Sequence, residues 1–344
     1  MGGQRLTARD PTPARYRVPV SRLVDRHGRA HRDLRVSLTD RCSLRCTYCM
    51  PAEGLPWLPA PDLLSTAELV RLVRLATTLG IDEVRLTGGE PLLRPDVVAV
   101  VAQLADAAEL SVTTNGLVLN RLAPALRDAG LTRVNISIDT LRRDRFLAMT
   151  RRDRLDDVLA GIDAALRAGL HPVKLNTVLM RGVNDDEAVD MLRFALDTGV
   201  HLRFIEQMPL DAQHAWRREE MVTAEEILRE LSAVFTLDPV DGRGSAPAEE
   251  WYVNGSPQTV GVIGSVTRPF CGNCDRLRLT ADGQLRTCLF ATNETDLRGP
   301  LRAGASDEEL AGQMLRAVLG KQAGHGIDDP TFLQPPRPMS AIGG

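Results

Sequence analysis

The chain has 344 residues, 43% of them hydrophobic, with 42 Lys and Arg against 45 Asp and Glu and a net charge of −3. That balance excludes bulk affinity for nucleic acid, and the length suffices for one large core or two smaller ones. No run approaches the roughly 18 consecutive apolar residues of a membrane span, and the opening MGGQRLTARD lacks the apolar centre of a secretory signal, so a cytoplasmic location is expected. Residues 1–32 are rich in Arg and Pro; a single Ser together with Asp10 and Asp25 argues against a mitochondrial transit peptide, and a flexible basic leader is expected.

Leu34 to Leu38 reads as the first strand. The loop after it, TDRCSLRCTYCMP, presents Cys42, Cys46 and Cys49 in C-x3-C-x2-C spacing. A [4Fe–4S] cube held by protein alone takes four cysteine thiolates, so three leave one iron open to a ligand that is not protein. A zinc knuckle lacks its fourth ligand here, with no histidine close by in sequence. A disulfide framework does not suit six cysteines in a long chain without a secretory signal.

Further strands are expected at Glu83 to Thr87, Leu110 to Thr114, Arg133 to Ile138, Val173 to Leu179 and Leu202 to Glu206. Between them lie helical patterns such as Ser65 to Leu79, opened by a Ser65/Glu68 capping box, and Leu155 to Ala168, closed by Gly169. Repeated βα order predicts an α/β fold, an incomplete (β/α)6 TIM-like barrel over residues 33–237, with reactive groups gathered where strands end. The candidates obey that placement: Gly88 and Gly89 in TGGEP, Thr113 and Asn115, Ser137 and Asp139, Met208, with Lys174 inside the fifth strand. Arg35 and Arg85 fall within strands, where a charge facing the interior is costly unless a ligand or carboxylate meets it. The group Arg142, Arg143, Arg145, Arg151, Arg152 and Arg154, mixed with Asp, reads as solvated surface.

After about Leu210 the βα rhythm lapses, and the stretch Asp238 to Pro247 reads as a loop into a smaller C-terminal region, residues 238–344. FCGNCDRLRLTADGQLRTCLF carries a second set, Cys271, Cys274 and Cys288, in C-x2-C-x13-C spacing. Zinc competes more seriously at this pair-plus-one arrangement. A second cluster with its own open iron is the alternative, able to bind a substrate nitrogen or oxygen.

The cysteine loop resembles that of the radical S-adenosylmethionine (SAM) enzymes. With RVSLTDRCSLRCTYCMP, VRLTGGEPLLR, VTTNG, NISIDTL, VKLNTVLMRGVND, RFIEQMP, FCGNCDRLRLTADGQLRTCLF and the terminal Gly343 and Gly344, the chain is similar over nearly its whole length to the GTP 3′,8-cyclase family of molybdenum cofactor biosynthesis. The resemblance implies a lyase that makes (8S)-3′,8-cyclo-7,8-dihydroguanosine 5′-triphosphate from GTP with SAM and two [4Fe–4S] clusters. It implies cluster ligands Cys42, Cys46 and Cys49, then Cys271, Cys274 and Cys288; SAM contacts at Tyr48, Gly89, Ser137 and Met208; and GTP contacts at Arg35, Arg85, Thr113, Lys174, Arg276, Leu277 and Arg278. No catalytic side chain is implied. The resemblance also suggests a flavodoxin- or ferredoxin-like electron donor, a homodimer, delivery of product to cyclic pyranopterin monophosphate synthase, and a Gly-Gly tail that enters the active site. The competing readings are another radical SAM enzyme with an auxiliary cluster, such as a peptide modifier, and a zinc-stabilised binding module.

Overall fold

The computed structural model describes residues 22–329 and 332–343. Its elements run β1 (Asp33–Ser37), α1 (Thr66–Thr78), β2 (Glu83–Thr87), α2 (Val97–Leu104), β3 (Glu109–Thr114), α3 (Leu119–Asp128), β4 (Arg133–Ser137), α4 (Arg143–Thr150), α5 (Leu155–Arg167), β5 (Val173–Val178), α6 (Ala188–Thr198) and β6 (His201–Ile205). Then follow α7 (Ala224–Ser232), β7 (Leu237–Pro239), β8 (Glu249–Val253), β9 (Thr259–Ile263), β10 (Arg276–Leu279), β11 (Gln284–Arg286), β12 (Thr295–Asp296), α8 (Arg298–Arg302), α9 (Asp307–Leu319) and α10 (Met339–Ile342). All six expected strands are present within a residue or two of their expected ends, and α1 begins at a full Ser65/Glu68 capping box.

One sheet carries every strand, in the order β12-β11-β10-β1-β2-β3-β4-β5-β6-β9-β8-β7. The six βα strands lie side by side and parallel, which is the incomplete TIM-like barrel expected. The C-terminal region extends this sheet: β9 joins β6 and β10 joins β1, both parallel, before antiparallel strands finish each edge. Residues remote in sequence thereby come to flank the first and sixth strands.

Alternation along the strands separates two environments. Leu34, Val36, Val84, Leu86, Leu110, Val112, Leu202 and Phe204 are almost wholly buried and form the core with the helices outside. The intervening residues, among them Arg35, Arg85, Thr113, Ser137, Asn176 and Arg203, face the barrel interior.

Residues 22–32, expected within the flexible leader, are packed. Val24 and Ala30 form a bridge, Leu23 is buried, and the Leu23 N–H donates to the Leu79 carbonyl at 3.0 Å. Residues 1–21 of that leader lie outside the described residues.

The cysteine loop is folded back over the Gly88-Gly89 turn after β2. The Gly89 N–H donates to the Thr39 carbonyl at 2.8 Å and the Glu90 N–H to the Arg41 carbonyl at 2.7 Å. Gly88 has φ +144, and a β-carbon on Gly89 would collide with the backbone carbonyls of Asp40 and Arg41. Gly89→Ala should therefore push the cysteine loop off the turn, seen as faster amide hydrogen exchange across residues 40–50 and a lowered Tm; unchanged exchange would contradict this role.

Candidate active site

The first cysteine loop is tied down on both sides. From the barrel, Asn115 Nδ2 donates to Ser43 Oγ at 3.0 Å and lies 4.0 Å from Cys42 Sγ. From outside, Arg151 Nη1 donates to the carbonyls of Arg45 (2.8 Å) and Met50 (3.1 Å). Within the loop, Arg45 Nη1 donates to the Cys42 carbonyl at 2.8 Å. Glu90 braces the loops after β2 and β3, its carboxylate accepting from Thr114 Oγ1 (2.7 Å) and from the N–H groups of Asn115 (2.7 Å) and Leu92 (3.0 Å).

Burial pushes the thiols up, Cys42 to about 11, Cys49 to about 12, and Cys46 well above the ordinary value. Three such thiols become good ligands only when a cation offsets the desolvation of their thiolates.

The second set lies across the same cavity. Cys271 and Cys274 flank the short turn before β10, and Cys288 follows β11. All six cysteines are free thiols, and all six line one cavity of ≈ 310 Å³. Among the described residues no three His, Cys, Asp or Glu side chains gather closely enough to hold a single metal ion. Three cysteine thiols on the first loop are the donor set of a [4Fe–4S] cube that leaves one iron open. Burial acts to raise Cys274, but Lys321 and Arg276 beside it hold its thiol below the ordinary value.

Between the two sets the barrel is lined with cations. Arg35 on β1 is in register with Arg85 on β2 and Arg278 on β10, and Arg276 stands opposite Asp33. Arg203 on β6 donates to Asn135 Oδ1. Burial and mutual repulsion drive the Arg35 and Arg85 guanidiniums below their usual values, and burial takes Arg203 to about 9 and Arg278 to about 10. Asp33 is the nearby carboxylate, and burial opposes its ionisation while Arg35, Arg85, Arg276 and Arg278 favour it. Arg35 Nε and Arg203 Nε are buried without a hydrogen-bond partner, as are Ser37 Oγ, Thr87 Oγ1 and Asn176 Oδ1. The unused guanidinium donors of Arg35 and Arg203 suit an anion, whereas Asn176 Oδ1 can only accept.

Of the expected SAM contacts, Tyr48, Gly89, Ser137 and Met208 all line this cavity. Tyr48 is fixed by its hydroxyl, which donates to Asp139 Oδ2 at 2.8 Å, while Asp139 Oδ1 accepts from the Val178 N–H at 2.9 Å; burial pushes the Asp139 carboxyl up to about 6. Of the expected GTP contacts, Arg35, Arg85, Thr113, Arg276 and Arg278 line it. Two do not. Leu277 alternates to the other face of β10 and is 1% exposed in the core, so its side chain is excluded from the interior. Lys174 lies beside Asn135 and His201 in register, on the same face of β5 as the lining residue Asn176 but two residues before it, and burial lowers it to about 8.

Sequence reasoning missed Arg203 and Asn176, although Arg203 carries the same signal as Arg35 and Arg85, a charge within a strand. It also read Arg151 as surface. Arg143 and Arg154 are indeed exposed and paired with Asp, but Arg151 sits at φ 57 and turns inward onto the cysteine loop. The stretch Asp238 to Pro247, read as a loop, carries Pro247 into the cavity wall, and Arg276 donates to the Ser245 carbonyl.

The C-terminal tail enters from the same side. The Met339 N–H donates to the Leu210 carbonyl at 3.0 Å, Ile342 is buried, and the Gly343 carbonyl accepts from Arg278. A β-carbon on Gly343, at φ +86, would strike Ser37 Oγ and Thr87 Oγ1. Gly344 lies outside the described residues.

Comparison with known proteins agrees with both halves of this architecture. The sequence model of the radical SAM superfamily matches residues 36–195, and that described as Molybdenum Cofactor Synthesis C matches residues 200–327. The chain is 63% identical over 328 residues to the GTP 3′,8-cyclase of Streptomyces coelicolor, covering 94% of this chain and 96% of the relative. It is 57% identical to that of Mycobacterium marinum (94% and 92% covered) and 55% identical to that of Corynebacterium glutamicum (94% and 89%). Among solved structures, Streptococcus suis SuiB bound to S-adenosylmethionine superposes with a TM-score of 0.56 at 12% identity, over 83% of this chain and 68% of that one, a likeness of fold. With identity this high along nearly all of its length, the chain belongs to the GTP 3′,8-cyclase family of radical SAM enzymes.

Proposed function

We propose that the single cavity between the two cysteine sets is where GTP is cyclised, with its triphosphate on the arginine array. The observation that carries this reading is that both three-cysteine sets and five arginines line one cavity. Family membership supplies the reaction class, the cyclisation of GTP that begins molybdenum cofactor synthesis. Cys42, Cys46 and Cys49 would hold a [4Fe–4S] cluster that, with SAM bound, would supply the radical chemistry the cyclisation needs.

The chain's own residues bind and orient. Tyr48, braced by Asp139, and Gly89, which lets backbone approach closely, are suited to hold SAM against the loop; Ser137 can meet its ribose hydroxyls and Met208 can pack on adenine. Arg35, Arg85, Arg203, Arg276 and Arg278 offer guanidinium forks for phosphate oxygens, each charge-assisted hydrogen bond contributing about 1.5 to 3 kcal/mol. Thr113 adds a hydroxyl beside Asn135. Leu277 can take part only through its main chain. Holding GTP between the two cysteine sets brings the reacting carbons together and excludes water.

The second set, Cys271, Cys274 and Cys288, would hold a second [4Fe–4S] cluster with one iron left for a ligand that is not protein. The Gly343 end of the tail, hydrogen-bonded to Arg278, is suited to fix that guanidinium beside the phosphates. Radical chemistry of this class draws an electron from outside, for which we infer a flavodoxin- or ferredoxin-like donor. We also infer a homodimer and cyclic pyranopterin monophosphate synthase as the consumer of the product. Among the described residues no helix is long and apolar enough to cross a membrane.

The deciding experiment is iron and sulfide analysis of anaerobically purified protein followed by reductant, SAM and GTP. About eight irons per chain and GTP-dependent 5′-deoxyadenosine are expected, whereas zinc in a colourless protein would overturn the reading. Cys42→Ala should stop SAM cleavage; Cys271→Ala should keep part of it and lose cyclisation, and normal cyclisation by Cys271→Ala would remove the second cluster from the reaction. Arg203→Met should weaken GTP binding about 10- to 150-fold with iron content unchanged, measured by equilibrium binding. Deleting Gly343 and Gly344 should abolish product while iron content persists, and full turnover by the cluster-loaded truncation would refute the tail's role.

A pH effect follows from Lys174. Its value is about 8 in the ligand-free protein, against 10.5 for a free lysine. Burial disfavours its charge, so its cost to folding is present below pH about 8 and relieved as pH rises towards 10.5. Phosphates favour the charged form, so GTP binding takes up a proton above pH about 8 and weakens as pH rises. The Kd for GTP should rise between about pH 7 and 9, less steeply in Lys174→Met; identical profiles would place Lys174 outside the binding energetics.

A further inference from the structure

The ammonium of Lys321, just beyond α9, is buried at 3% exposure although the mechanism above gives it no part. A buried charge persists only where its donors are used. Here Nζ donates to the carbonyls of Arg276 (2.8 Å) and Cys274 (3.2 Å), lies 3.4 Å from His31 Nδ1, and reaches Cys274 Sγ at 3.7 Å. An ammonium only donates, so His31 Nδ1 is the acceptor and the opposite ring nitrogen carries the hydrogen. That Nε2–H then donates to Asp25 Oδ2 at 3.2 Å.

Asp25 closes the network on itself. Its carboxylate also accepts from Arg29 Nε at 2.6 Å and from the N–H groups of His27 (2.8 Å) and Arg29 (3.0 Å). Arg29 Nη1 in turn donates to the carbonyls of Cys271 (2.6 Å) and Ala323 (3.0 Å), and Nη2 to the Gln322 carbonyl at 2.6 Å. One buried network thus grips the first two cysteines of the C-terminal set, Cys271 through Arg29 and Cys274 through Lys321. Its parts come from residues 25–31 and 321–323, opposite ends of the chain.

We propose that Lys321, steered by His31 and Asp25, is a positioning residue for the second cluster: it fixes Cys274 and, by its N–H···S contact, raises that cluster's reduction potential. The proposal rests on reading Cys271, Cys274 and Cys288 as cluster ligands. Hydrogen bonds and positive charge at a ligand sulfur favour the reduced, more negative state of an iron–sulfur centre. The same ammonium bonds the Arg276 carbonyl, so it also couples the cluster to the strand that presents Arg276 and Arg278 to the substrate.

The test is a potentiometric titration followed by electron paramagnetic resonance on anaerobically reconstituted full-length holoenzyme. Cys42→Ala protein identifies the signal of the C-terminal cluster. In Lys321→Met that signal should titrate at a more negative potential than in wild type, with the signal of the first cluster unmoved; Lys321→Arg should recover part of the shift. An unshifted midpoint in Lys321→Met at full iron content would overturn the proposal. If Lys321→Met yields no folded protein, His31→Leu releases the ammonium from one side only, and the same midpoint decides: displaced supports the proposal, unchanged overturns it. Wild-type protein with about four irons and no signal after Cys42→Ala would instead defeat the second-cluster reading itself, a result distinct from an unshifted midpoint.

Discussion

Four guanidiniums, those of Arg35, Arg85, Arg276 and Arg278, share the neighbourhood of one carboxylate, Asp33, inside the barrel. Guanidinium does not give up its proton in proteins, so burial, which disfavours the charge on Arg35 and Arg278, acts as a cost rather than by neutralising them. Each buried, under-compensated ion costs several kcal/mol, while a whole domain is stable by only about 5 to 15 kcal/mol. The core outside the sheet must therefore be large enough to carry this load until an anion arrives. The unbroken apolar layer from Leu34 to Val262 supplies it. A polyphosphate that neutralises the array returns the cost as binding energy, which couples occupancy of the site to stability of the fold.

The same constraint accounts for how the sheet is completed. Six βα units leave an open edge at β1 and another at β6, and the charges on β1 would be half exposed at such an edge. By adding β10 beside β1 and β9 beside β6, the C-terminal region covers both edges and brings two further arginines against Arg35. The second cysteine set sits at the two ends of the β10–β11 hairpin, Cys271 and Cys274 before β10 and Cys288 after β11. Its position opposite the first set is thus a consequence of strand pairing rather than of the cysteine spacing.

The six strands of the βα series were readable because short β-branched runs alternated with capped amphipathic stretches. β2 coincides with its expected limits, and α1 starts at the expected box. β9 was not readable: TVGVI lies where the rhythm has lapsed, and its partner β6 is more than fifty residues away, so only tertiary pairing identifies it. For the site, both cysteine sets, the four expected SAM contacts and five of the seven expected GTP contacts followed from motif resemblance, and the structure brings them to one cavity. The side chain of Leu277 lies in the core for a reason the sequence already held. RLRL is strict alternation, which sends Arg276 and Arg278 to one face and Leu277 to the other. Arg151 and Lys321 gave no local signal, because the groups they hold lie about a hundred residues away for the first and nearly fifty for the second.

The pairing of β1 with β10 has a bearing on how the protein is made. Some 240 residues separate Asp33 from its partner Arg276, so the first strand leaves the ribosome long before its outer neighbour exists. During that interval the nascent chain presents an uncovered strand edge bearing Arg35, followed by an oxidisable loop of three thiols. The charge on that edge discourages edge-to-edge association. The first loop is complete early on the growing chain, whereas the second cysteine set, held by Arg29 and Lys321 from both ends of the polypeptide, can be assembled only after synthesis is nearly finished.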